Sequence, residues 1–114
     1  MPRRLWLSVV VIWAVALAGA SAQAADPAEE VRLTIENHRF SPEDLKVKAG
    51  VPFMLIITNK DGEAEEFEIR DLRIEKVIPA RKTRRVKVPA LKPGTYNFVG
   101  DYHQSTAKGR IVAE

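Results

Sequence analysis

The sequence predicts an all-β domain, an antiparallel Greek-key β-sandwich, behind an export signal. Three observations predict it. Short runs of branched and aromatic residues recur at intervals of roughly ten residues between Val31 and Ala113. Turn chemistry separates them, at Pro42, Gly50, Asp61-Gly62 and Pro93-Gly94. No segment beyond residue 24 carries the apolar period of a helix.

The elements follow in order. Arg3 and Arg4 precede an apolar run from Leu5 to Ala18, broken only by Ser8, and Ala22-Gln23-Ala24 places small residues where a signal peptidase reads them. Residues 1–24 therefore read as a signal peptide, cleaved after Ala24. The run is about 14 residues, short of the roughly 20 that cross a bilayer as a helix; an uncleaved anchor is the alternative. Residues 25–30 form a polar lead-in, and residues 31–114 form the single domain.

Val31 to Glu36 alternates, with Val31, Leu33 and Ile35 on one face and Arg32, Thr34 and Glu36 on the other, the pattern of a half-buried strand. Leu45 to Val47 is a brief strand between turns. Phe53 to Thr58 (FMLIIT) is apolar on both faces, as a central strand covered on both sides requires, and Met54 within it reads as core. The polar loop Asn59 to Ala64 turns at Asp61-Gly62. Glu66 to Ile69, Glu75 to Ile78, the end of Arg81 to Val88, Thr95 to Val99 and Arg110 to Ala113 supply the remaining strands.

Composition narrows the function. There is no cysteine, which excludes disulfides, thiolate metal ligands and thiol nucleophiles. The net charge of +3 includes Arg3 and Arg4, so removing those two leaves +1, and basic residues are interleaved with acids except at Arg81 to Lys87. Nucleic-acid binding is not expected. The basic stretch suits the solvated face of an edge strand, or alternatively a docking patch. No serine or threonine stands at a recognisable spacing from a histidine and no phosphate loop is present, so no enzyme activity is expected.

The segment Pro93 to Ala113 (PGTYNFVGDYHQSTAKGRIVA), the loop and strand from Asn59 to Phe67, and HRFSPEDLKVKAG near the start together resemble the cupredoxins over nearly the whole mature chain. In that family a cysteine, two histidines and a methionine hold copper. The resemblance places His103 at the second histidine, Gly100 at the cysteine, the methionine near Ala107, and Glu65 or Glu66 at the first histidine. A blue-copper centre needs a thiolate and two imidazoles, so the resemblance implies a domain that has lost it.

What remains is His103 with Glu65, Glu66 and Asp101, and with Glu68 and Glu75 in the same stretch. One imidazole among carboxylates suits iron, manganese or Cu(II) rather than Cu(I). EEFEIRDLRIEKVI and the later GDYH resemble periplasmic cupredoxin-like proteins that accompany bacterial iron permeases. That branch implies a periplasmic location, iron or copper as the ion, and a membrane iron permease or another periplasmic uptake component as partner.

Each site residue also has a structural reading. Of Glu65 and Glu66, neighbours in a strand, only one can face the site. Glu75 alternates with Arg73 and Lys76 as a surface ion-pair face would, Asp101 suits a turn cap, and His38 reads as a loop histidine at the end of the first strand. A metal-free interaction module is therefore the rival function, and a copper carrier using His103 with His38 a third. A metal site requires His103 to lie within about 5 Å of Glu65 or Glu66, allowing modest closure to metal bonds.

Overall fold

The computed structural model describes residues 10–14 and 25–114. The predicted signal peptide falls, apart from residues 10–14, outside the described residues. Among the described residues there are nine strands: β1 (Glu29–Glu36), β2 (Arg39–Ser41), β3 (Asp44–Val47), β4 (Phe53–Asn59), β5 (Glu65–Ile69), β6 (Ile74–Ile78), β7 (Thr83–Val88), β8 (Gly94–Gly100) and β9 (Lys108–Ala113). They form a four-stranded sheet in the order β2-β1-β4-β7 and a five-stranded sheet in the order β3-β9-β8-β5-β6.

The all-β sandwich thus stands, with mixed rather than purely antiparallel sheets. β1 runs parallel to β4, and β3 parallel to β9. Alternation of apolar and polar residues reports which face is buried and carries no information about strand direction, so this difference was invisible to the pattern. A chain that crosses to the other sheet between strands can return running the same way as it left, whereas a tight hairpin cannot.

The buried faces are those the alternation predicts. Leu33 and Ile35 of β1, Val86 and Val88 of β7, and Phe98 of β8 all point into the core. Phe40, Phe67 and Phe98 pack edge-on or tilted, with ring centroids 5.0 to 6.0 Å apart, and tie the two sheets together. Gly109 of β9 lies against this cluster: a Cβ there would collide with the Phe98 ring and approach the Glu43 carbonyl oxygen at 2.6 Å.

β4 is buried on both faces, as its composition requires. Met54 and Ile56 point away from the core yet are 2% and 6% exposed. They stand in register between Glu30 and Lys87 and between Arg32 and Arg85. Glu30 on β1 reaches Arg85 on β7 at 3.5 Å, so this ion pair and its alkyl stems roof the strand between them.

Two connections, the β1–β2 turn at Asn37-His38 and the loop after Asn59, are bonded to each other, and the loop between β8 and β9 meets both. That meeting point carries the histidines.

Candidate metal centre

Asn59 closes β4 and organises the loop behind it. The residue is 1% exposed; its side-chain amide donates to the carbonyls of Glu63 at 2.8 Å and Ile78 at 3.1 Å, and its Oδ1 accepts from the Asp61 N–H at 3.0 Å. The loop 60–64 is thereby folded back, with the Glu63 backbone fixed.

Asp61 joins that loop to the β1–β2 turn. Asn37 and His38 both adopt left-handed backbone, at φ 54° and 55°, which a two-residue hairpin of the primed type demands. Asparagine and histidine take this conformation more readily than most residues. The Asp61 carboxylate accepts from the N–H of Asn37 at 2.8 Å and of His38 at 2.9 Å. Burial pushes its carboxyl up, but these two donors and the nearby imidazoles outweigh burial and hold it below the usual range.

Glu65 opens β5 on the inward parity shared with Phe67 and Ile69, and is 1% exposed. Its Oε1 accepts from the N–H of Glu66 at 3.1 Å and of Tyr102 at 2.9 Å, and its Oε2 lies 2.5 Å from His103 Nδ1. Room for this carboxylate exists because residue 100 is glycine. A Cβ at Gly100 would stand 2.6 Å from Glu65 Cδ and 2.7 Å from Ala107 Cβ. The carboxylate fills the volume that a side chain at position 100 would otherwise occupy.

His103 ends a 3-10 turn, Asp101–His103, that follows β8. Its carbonyl accepts from the N–H of Ala107 at 2.8 Å, which closes the loop. The bond to Glu65 holds the imidazole above its ordinary pKa against the opposing effect of burial, with Glu63 adding to the rise. A carboxylate can only accept, so Nδ1 carries a proton, and Nε2 is the nitrogen that can ligate once it gives up any proton it shares with Glu63, 3.2 Å away.

On the solvent side, the His38 ring stacks on His103 with centroids 3.6 Å apart and planes 14° from parallel. Both Nε2 atoms face one oxygen of Glu63, at 3.2 Å from His103 and 3.6 Å from His38. Ligand atoms of His38, Glu63 and His103 all lie within 4.8 Å of one another.

Of the residues singled out in the sequence, the structure brings Glu65, His38 and His103 together. Glu66, Asp101 and Glu75 fall elsewhere. Glu66 has the opposite strand parity from Glu65, and it gathers with Glu68 and Asp101. Arg70 pairs with Asp101 at 3.1 Å and with Glu68 at 3.6 Å, and a hydrogen bond to Asp101 raises the Glu68 carboxyl. Glu75 stands opposite Glu68 on β6. Glu63 was missed because it lies in a loop without periodicity. The available signal was Asn59, a polar residue ending an apolar strand, followed at once by a turn.

The family's blue-copper centre does not fit these residues. The sequence has no cysteine, the resemblance puts Gly100 at the thiolate position, and the Glu65 carboxylate fills the space against that glycine. Nor can an ion sit between Nδ1 and Oε2 as they stand, since two donors on one ion at bonds of roughly 2.0 to 2.2 Å are about 3 Å apart or more. Glu65 orients His103; it does not share an ion with it in this arrangement.

The family model for the Cupredoxin-like domain matches residues 9–113. The uncharacterized protein RP394 of Rickettsia prowazekii (strain Madrid E) is 41% identical over 83 residues, which cover 73% of this chain and 66% of that protein. The chain thus spans about two thirds of that relative. Among solved structures, the metal-binding domain of the Streptococcus pneumoniae D39 Cu(I)-exporting P-type ATPase CopA, with Cu(I), superposes with a TM-score of 0.67 at 14% identity, covering 75% of this chain and 84% of that one. Auracyanin A, a blue copper protein of Chloroflexus aurantiacus, gives a TM-score of 0.62 at 14% identity over 75% and 98%. Amicyanin from Paracoccus versutus gives 0.59 at 15% identity over 77% and 84%.

Proposed function

The chain belongs to the cupredoxin-like domain family, and from that premise we propose that it is an exported metal-ion-binding accessory protein rather than a blue-copper electron carrier. Its cargo is an iron or copper ion, and its partner a membrane iron permease or another periplasmic component of uptake. One observation carries the reading: the buried Glu65 carboxylate holds His103 by Nδ1, which presents Nε2 to solvent among acidic side chains. A carboxylate behind an imidazole fixes its tautomer and orientation and raises its basicity as a ligand.

A site with one or two imidazoles and carboxylate oxygens, lacking thiolate, favours borderline and hard ions and releases them more readily than a thiolate site would. That suits a carrier that hands its ion on. The permease partner is supported by the EEFE and GDYH resemblance, and export by the basic, apolar and small-residue order of residues 1–24. Copper as cargo is supported by the copper-binding structures of similar fold. No catalytic step is assigned to the domain.

The rival reading is a metal-free interaction module, and a specific observation favours it: Glu65 already satisfies the nitrogen that faces the interior. Titration of the purified mature protein with Fe(II), Fe(III), Mn(II) and Cu(II), wild type against His103→Ala, separates the two. Saturable uptake that the substitution abolishes supports the carrier. Equal uptake removes His103 from the account, and no uptake leaves the module.

A further inference from the structure

We infer that His38, Glu63 and His103 form a surface site for a borderline divalent ion such as iron(II) or copper(II), bound through the Nε2 atoms of both imidazoles, on the side of His103 away from Glu65. This rests on the metal-binding reading and adds the location, the ligand set and the ligating nitrogen.

The inner nitrogen of His103 is closed. Glu65 takes it at 2.5 Å, from a position buried behind Gly100 and Ala107. The outer nitrogen lies on the solvent side, 3.2 Å from Glu63 and beside the His38 ring, and an ion that binds there displaces the proton that Nε2 shares with Glu63 when the ring is charged. Glu63 presents one carboxylate oxygen to Nε2 of both rings, and one ligand atom from each of the three residues lies within 4.8 Å of the others, so small shifts bring them onto one ion. Two imidazoles and one carboxylate form a donor set associated with iron(II), and imidazole also suits copper(II). Glu63 as a ligand leaves a divalent ion one net positive charge, which the Glu65 and Asp61 carboxylates behind the two histidines offset. Three protein donors leave further positions for water or for a receiving ligand.

The site is built by groups that do not themselves touch the ion. Asp61 clamps the His38 backbone through two N–H groups, Asn59 clamps the Glu63 carbonyl, and Glu65 fixes His103. Three separate connections of the chain are thus locked at the point where their side chains meet. The rings are nearly parallel, so their in-plane lone pairs run side by side rather than converging. His38 supplies the adjustment: its side chain is 42% exposed against 19% for His103, and it can tilt while His103 stays fixed.

Cu(II) binding to the mature protein, followed by calorimetry and by electron paramagnetic resonance, tests this on wild type, His38→Ala, Glu63→Gln and His103→Ala. Both His38→Ala and Glu63→Gln alter solvent-accessible side chains and leave the Glu65 contact in place. The expected result is an affinity at least about tenfold weaker for each, with coupling to two imidazole nitrogens in wild type and to one in His38→Ala. If His103→Ala loses the ion while His38→Ala and Glu63→Gln bind like wild type, the ion lies elsewhere around His103 and this site is overturned, while the carrier survives. Absence of binding, or equal binding by His103→Ala, overturns both.

Discussion

The Glu65 carboxylate and His103 Nδ1 meet at 2.5 Å across 38 positions of sequence, and the carboxylate is 1% exposed. The contact joins the first residue of β5 to the loop beyond β8, so it is both a structural clasp and the device that aims the imidazole.

Removing one partner of a buried charged pair leaves the other uncompensated, which costs about 3 to 5 kcal/mol. His103→Ala is expected at or below the lower end, because Glu65 keeps two backbone donors and His103 is only part-buried, at 19% side-chain exposure. His38→Ala removes a half-buried ring stacked on His103 and is expected to cost about 1 kcal/mol, less than His103→Ala. Urea denaturation of the metal-free proteins measures both.

The same contact makes stability depend on pH. His103 has its folded pKa raised above the unfolded value, first by the bond to Glu65. Its contribution is therefore fully present below the unfolded value of about 6.5 and is lost as pH rises through the higher folded value. Thermal melts taken from about pH 5 to pH 9 should show this loss in wild type. The difference between wild type and His103→Gln should shrink toward the alkaline end.

Gly100 is required by volume rather than by backbone angle. Gly100→Ala places a methyl group 2.6 Å from Glu65 Cδ and 2.7 Å from Ala107 Cβ, an overpacking expected to cost about 1 to 3 kcal/mol. In a Glu65→Ala background the penalty should be smaller, since the carboxylate is gone. A double-mutant cycle reads the coupling directly.

Asn59→Ala removes three hydrogen bonds from a buried position, at a cost of about 2 to 3 kcal/mol. Amide hydrogen exchange should quicken at Asp61, whose N–H loses its acceptor, and metal affinity should fall because Glu63 is no longer fixed. Unchanged exchange at Asp61 would contradict the clamp.

The strands were legible because each rests on local chemistry: alternation in β1 and β7, a continuous apolar run in β4, and turn residues between. The mixed pairing was not, because strand direction follows from how the chain changes sheets. At the site, parity decided the outcome. Glu65 shares its face with Phe67 and Ile69, whereas Glu66 and Glu68 turn to the other face, where Arg70 and Asp101 wait. The resemblance set His103 beside Glu65 or Glu66, and in the fold the contact is with Glu65. It could not reveal that the partner fills the space left by Gly100, nor that a loop carboxylate, Glu63, meets the outer nitrogen. Those facts depend on contacts between segments remote in sequence.

Nitrogen-15 NMR of the histidine side chains, with and without diamagnetic Zn(II), tests the central claim most directly. The account predicts that His103 keeps its Nδ1 proton in both states and that its Nε2 resonance moves to the metal-bound position, together with that of His38. An Nδ1 that loses its proton and takes the metal shift would contradict it.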